Sequence, residues 1–94
     1  IRTLETSRRN TLDLSAVPLL KGLSHLPVMV SPAPTAPSRE YVGRLSLAAK
    51  AAGTDMVVLY VHPEPGKAAV NGPQSLTFSG FSQMMGDLVG CNPP

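Results

Sequence analysis

A chain of 94 residues makes at most one small domain, which excludes a multi-domain enzyme and also a complete (β/α)8 barrel, for which ~250 residues are typical. Eight Lys and Arg stand against six Asp and Glu, a net charge of +2, and the basic residues are scattered with no aromatic side chains between them, which argues against a nucleic-acid surface. No apolar run approaches the ~18 residues of a membrane span, and the single Cys91 leaves no partner for an internal disulfide; a cytoplasmic protein without membrane contact is expected.

Ten prolines and eight glycines divide the chain into apolar stretches of alternating period, in the order β, α, β, α, β, α. Ile1–Glu5 reads as a short strand. Ser15 is placed to cap a helix running to about Leu23, with Asp13 near its start and Pro18 in its first turn, where a missing N–H does no harm. Leu26–Val30 is a continuous apolar run of the kind found in buried parallel strands. Ser31–Ser38 carries Pro32, Pro34 and Pro37 and must be a loop, because proline removes donors and pushes its predecessor to extended geometry.

Ser38 is then placed to cap a helix with Tyr41, Val42, Leu45, Ala48, Ala49 and Ala52 on one face, stopped by Gly53. Met56–Val61 is the next strand, and a long connection leads through the turn signal Asn71–Gly72 to Thr77. Thr77 opens a last helix with Phe78, Phe81, Met84, Met85 and Leu88 as its packing stripe, weakened by Gly80 and Gly86 at ~1 kcal/mol each relative to Ala. With no Trp, two Phe and two Tyr, the core must be built from Ala, Val, Leu and Met. Parallel strands alternating with helices put any chemistry at the strands' C-terminal ends, after Glu5, Val30 and Val61.

Ile1-Arg2-Thr3-Leu4-Glu5, Arg9-Asn10-Thr11-Leu12-Asp13-Leu14-Ser15-Ala16-Val17-Pro18, Ser24-His25-Leu26-Pro27-Val28, Val61-His62-Pro63-Glu64-Pro65 and Gly72-Pro73-Gln74-Ser75-Leu76, taken together, resemble one family. That family is 3-deoxy-7-phosphoheptulonate (DAHP) synthase of the short single-barrel type. The resemblance implies an α/β fold in which residues 1–90 form the last three βα units of a TIM barrel, with 91–94 as a tail. It also implies descent from the transferase that condenses phosphoenolpyruvate with erythrose 4-phosphate on the way to the aromatic amino acids, using a divalent metal such as Mn2+ as Lewis acid.

The same resemblance locates the metal ligands. The family's Asp-Pro-Ser-His reads Ser31-Pro32-Ala33-Pro34 here, its Glu-Val-His-Pro reads Tyr60-Val61-His62-Pro63, and its Ser-Asp-Gly reads Val70-Asn71-Gly72. The His, Glu and Asp ligands are thus replaced by Pro34, Tyr60 and Asn71. Pro34 has no side-chain donor, a neutral phenol must lose its proton to bind a cation well, and Asn71 offers a neutral carbonyl. No bound cofactor is expected. The family's Cys ligand and its Lys-Pro-Arg-Thr substrate loop have no counterpart in these residues.

Arg2, Thr3, Arg9, Asp13 and His62 match family positions and are the candidate substrate contacts, with no catalytic role assigned to any of them. Against that, His62 can serve to order the loop after its strand, Arg8–Arg9 can be a solvated pair, His25 belongs to the stability face of a barrel, and Cys91 reads as a surface thiol. The expected function is a non-catalytic pseudoenzyme or interaction module; the alternative is part of an active synthase completed by other chain segments, and a third reading is a decayed gene product. Sheet edges left open in such a piece predict self-association or capping by another protein chain.

Overall fold

Residues 1–4, 10–69 and 72–90 are described by a computed structural model of the chain. The element order is α1 (Ala16–Leu23), β1 (Met29–Val30), α2 (Val42–Ala52), β2 (Met56–Val57) and α3 (Phe78–Gly90), with short 3-10 turns at Ala33–Thr35, Arg39–Tyr41, Pro65–Lys67 and Gly72–Gln74. β1 and β2 pair in parallel, Met29 opposite Met56 and Val30 opposite Val57. Hydrogen bonds continue the ladder beyond these residues: Val28 O accepts from the Met56 N–H (3.3 Å) and Val30 O from the Val58 N–H (2.8 Å). Further on, an isolated parallel bridge joins Val61 to Leu76.

α2 holds the structure together because one face, carrying Val42, Ser46 and Ala49 at i, i+4 and i+7, is buried along its length. Val42 packs with Ala36, Leu76 and Met84, flanked by Leu45, Leu59, Phe81 and Leu88, against α3. Two turns later Ala49 packs with Val17 of α1 and Val30 of β1. Between them Ser46 is fully buried, and its hydroxyl donates to Val42 O at 2.8 Å, so burying it leaves no polar group unsatisfied. Apart from Pro32 and Pro65, the buried apolar residues described are Val, Ala, Leu or Met, in keeping with the composition.

Helix ends follow the sequence closely at some places and not at others. Gly53 takes the left-handed conformation (φ 102°) and its N–H returns to Ala49 O and Lys50 O, closing α2 as glycine does. Thr77 caps α3, its hydroxyl accepting from the Gly80 N–H at 3.1 Å. Ser15 and Ser38 make no side-chain cap bond. Ser15 itself has right-handed helical geometry, and the Ser38 hydroxyl turns to the Glu40 carboxylate at 3.2 Å.

Three strands were expected, and the described residues contain two. Residues 1–4 of the expected Ile1–Glu5 strand are not in a ladder, and Glu5 lies outside the described residues. A strand is held by its neighbour, and here the Ile1 backbone pairs with Thr11 instead: Thr11 N–H to Ile1 O at 2.6 Å, and the terminal ammonium to Thr11 O at 2.8 Å. The strands Leu26–Val30 and Met56–Val61 are also shorter than expected: the described ladder pairs only Met29–Val30 with Met56–Val57, and Val61 bridges to Leu76 instead.

The result is a slab of 40 × 35 × 20 Å. Twenty ångströms accommodates one sheet and one layer of helices, since a helix with its side chains is ~10 Å across. One face of the sheet is therefore covered and the other is open. Val30, pointing to the helices, is buried, whereas the register partners Met29 and Met56 are 59% and 49% exposed.

One interaction not marked by any sequence motif ties the elements together. Asp55, just before β2, accepts hydrogen bonds at one carboxylate oxygen from the Lys21 ammonium of α1 and from the Val28 N–H, each at 2.8 Å. The Lys21 bond first, and the Val28 N–H second, hold the Asp55 carboxyl below its ordinary value of 3.8. A carboxylate with a lowered folded pKa contributes stability that is complete above the unfolded value and is lost as pH falls through the folded one. The stability difference between the native chain and Asp55→Asn is therefore expected to be present at neutral pH and to close on acidification below the carboxylate range. Thermal unfolding of both proteins across pH measures this; a gap independent of pH contradicts it.

Candidate functional site

The C-terminal ends of β1 and β2 converge on three segments: Ser31–Thr35, Tyr60–His62 and Gly72–Leu76. They are fastened to one another largely through main-chain carbonyls. Leu76 donates to Tyr60 O at 2.8 Å and the His62 N–H returns to Leu76 O at 2.9 Å. Gln74 Nε2 reaches Ala36 O at 3.4 Å and Arg39 Nη2 reaches Gly72 O at 3.5 Å. Asn10 Nδ2 donates to Pro34 O at 3.1 Å.

Pro34 sits inside the 3-10 turn Ala33–Thr35, where the Thr35 hydroxyl also closes onto Pro32 O at 2.6 Å. Three prolines fix φ near −65° and favour such tight turns. The loop expected here thus contains a turn of its own, and the backbone oxygen that position 34 could offer is already bonded. Tyr60 is half-buried with its carbonyl bonded to Leu76. Asn71 lies outside the described residues, between the turns Pro65–Lys67 and Gly72–Gln74.

The candidate substrate contacts are dispersed. His62 stands at the strand end, and its Nδ1 accepts from the Glu64 N–H at 2.9 Å, which orders the turn that follows. Arg2 and Asp13 are exposed, Asp13 giving its carbonyl to the Ala16 N–H at 3.3 Å at the entry to α1. The Thr3 hydroxyl lies 3.1 Å from that of Thr11. Arg9, with Arg8 and Cys91, falls outside the described residues. Sequence reading missed Arg39 as a fastener of the Gly72 turn, since an arginine at a helix start gives no sign of a carbonyl partner 33 residues away.

A divalent cation of the kind used in this chemistry needs several anionic or imidazole donors converging on one point. Among the described residues no group of three or more His, Cys, Asp or Glu side chains is placed to hold one. The set formed by Pro34, Tyr60 and Asn71 does not fit such an ion.

A model of the DAHP synthetase I family matches residues 1–89. The chain belongs to that family. Phospho-2-dehydro-3-deoxyheptonate aldolase of Thermotoga maritima is 46% identical over 88 residues, covering 94% of this chain and 26% of the relative. A 2-dehydro-3-deoxyphosphooctonate aldolase of Desulfotalea psychrophila is 39% identical over 51 residues, 54% of this chain and 18% of that protein. The crystal structure of the Thermotoga maritima DAHP synthase superposes with a TM-score of 0.91 at 44% identity, covering 96% of this chain and 26% of that one. A truncated form of the 3-deoxy-D-arabino-heptulosonate 7-phosphate synthase from Thermotoga maritima gives the same TM-score, with 34% of its chain covered. The chain therefore spans between a quarter and a third of these DAHP synthase relatives. No helix among the described residues is long and apolar enough to cross a membrane.

Proposed function

We propose that this part of the DAHP synthase fold, the last three βα units of a TIM barrel, serves as scaffold and interaction surface in a protein that does not catalyse the condensation. The observation that carries this reading is the replacement of all three ligand positions by Pro34, Tyr60 and Asn71. A single neutral donor can be tolerated in a metal site, but the loss of an imidazole and two carboxylates removes the charge that holds a hard cation. The Pro34 and Tyr60 carbonyls each already accept one hydrogen bond, from Asn10 and Leu76, and a neutral carbonyl does not replace the lost anionic charge. A cytoplasmic location belongs to the same proposal, as that of a biosynthetic enzyme's relative.

The test is an assay of the full-length protein carrying this chain for loss of phosphoenolpyruvate in the presence of erythrose 4-phosphate and Mn2+. No turnover is expected, with metal content well below one ion per chain. Metal-dependent condensation would instead establish an active transferase whose site is completed by donors outside these residues.

A further inference from the structure

Of the three asparagines in the chain, one is followed by a residue that lets it react with its own backbone. Asn10 precedes Thr11, Asn92 precedes Pro93 and Asn71 precedes Gly72. An asparagine side chain is open to attack by the backbone nitrogen of the next residue, so the next residue decides the outcome. Proline carries no N–H to give up. The stiff, branched side chain of threonine crowds the approach, and Asn10 is held besides, its Nδ2 donating to Pro34 O at 3.1 Å. Glycine has no Cβ and leaves the nitrogen uncovered.

The fold requires that glycine. A Cβ on Gly72 would lie 2.8 Å from Pro65 O, so the close approach of the turns Pro65–Lys67 and Gly72–Gln74 is possible only without one. The turn is fastened through the Gly72 carbonyl, which accepts from the Ser75 N–H at 3.2 Å and from Arg39 Nη2 at 3.5 Å. Among the described residues the Gly72 N–H donates no hydrogen bond, so the nitrogen that has to lose its proton is not tied down. Asn71 itself lies outside the described residues.

We propose that Asn71–Gly72 is a self-modifying site, at which asparagine converts to aspartate and isoaspartate and the candidate site loosens. The Gly72 nitrogen attacks Asn71 Cγ. A new N–C bond forms, the Cγ–Nδ2 bond breaks, Nδ2 leaves as ammonia with the Gly72 proton, and a cyclic imide remains. Water then opens the ring. Attack at the side-chain carbonyl gives aspartate; attack at the main-chain carbonyl gives isoaspartate, in which the chain runs through the side chain. Isoaspartate lengthens the backbone by one carbon directly ahead of the contact between Gly72 and Pro65, and both products replace a neutral amide by a negative charge. Leu76, which the two turns deliver to Tyr60 and His62, is then held less firmly. The conversion does not depend on reading position 71 as a lost metal ligand, and Pro34 and Tyr60 are untouched by it.

The full-length protein carrying this chain, aged at neutral and at mildly alkaline pH, supplies the test. Mass spectrometry of its peptides, with isoaspartyl-specific methylation, is expected to show loss of the asparagine form at Asn71, NH2 exchanged for OH, while Asn10 and Asn92 persist. Loss is expected to be faster at the alkaline pH, because the attacking nitrogen must ionise, and isoaspartate is expected among the products. Amide exchange at His62 and Leu76 is expected to be faster in aged than in fresh protein. Asn71→Gln, whose longer side chain closes a less favourable ring, is expected to show neither change. Persistence of Asn71 as long as Asn10, aspartate formed without isoaspartate, or exchange at the two amides that stays constant on ageing or rises equally in Asn71→Gln would overturn the proposal. Metal uptake and condensation, which test the ligand reading, are not among these readouts.

Discussion

Met84→Ala is expected to bring the chain close to its unfolding threshold. Met84 is 5% exposed and has the longest side chain in the cluster with Ala36, Val42 and Leu76, and its Cγ lies 3.6 Å from the point where a side chain on Gly43 would begin. Truncating a buried methionine to alanine costs ~2–5 kcal/mol through lost transfer energy and the cavity left behind. Small domains hold only ~5–15 kcal/mol in total, and a slab with one covered sheet face belongs at the low end. At ~4–8 °C per kcal/mol for a domain of this size, the melting midpoint should fall by at least ~8 °C. Gln83→Ala, one residue earlier on the exposed side of α3, should stay within ~0.5 kcal/mol of the native chain. Equal losses for the two substitutions would show that α3 does not pack as described.

Gly72→Ala should loosen the candidate site locally. A Cβ on Gly72 would lie 2.8 Å from Pro65 O, a backbone atom that cannot swing aside, and 3.9 Å from the Ala68 Cβ. The turns Pro65–Lys67 and Gly72–Gln74 would have to part, and relieving such overpacking costs ~1–3 kcal/mol. Their close approach delivers Leu76 to its bonds with Tyr60 and His62. Amide exchange at His62 and Leu76 is therefore expected to speed up by roughly 5- to 150-fold if local opening carries the cost. Gly66→Ala, whose Cβ would meet open space, is the control. Unchanged exchange at both amides would remove Gly72 from the account.

Whether an element was legible in the sequence depended on whether its cause was local. Gly53, Pro18 and Thr77 act within their own helix turns, and all three stand where their chemistry places them. Ser15 and Ser38 are equally good caps by type, yet their hydroxyls do not cap, because backbone geometry at one and Glu40 at the other decide otherwise. Strand lengths depend on neighbours, which explains why Ile1–Leu4 is extended in sequence pattern and unpaired to any strand in the fold. The α3 stripe divides for the same reason: Met84 is buried and Phe81 and Leu88 pack beside it, while Phe78 and Met85 face outward. At the candidate site, the assignment of Pro34, Tyr60 and Asn71 to ligand positions rests on the family resemblance of the sequence motifs alone. The carbonyl fastenings by Asn10, Arg39 and Gln74 were not legible in the sequence, since each spans more than twenty residues.

The loss of cation-binding capacity is tested most directly by titrating Mn2+ into the chain and following the free ion by electron paramagnetic resonance. The native chain is predicted to leave the signal unchanged at micromolar metal, while a variant carrying Pro34→His, Tyr60→Glu and Asn71→Asp withdraws about one ion per chain, as the restored imidazole and carboxylates require. Stoichiometric Mn2+ uptake by the native chain, abolished by Tyr60→Phe or Asn71→Ala, would contradict the account.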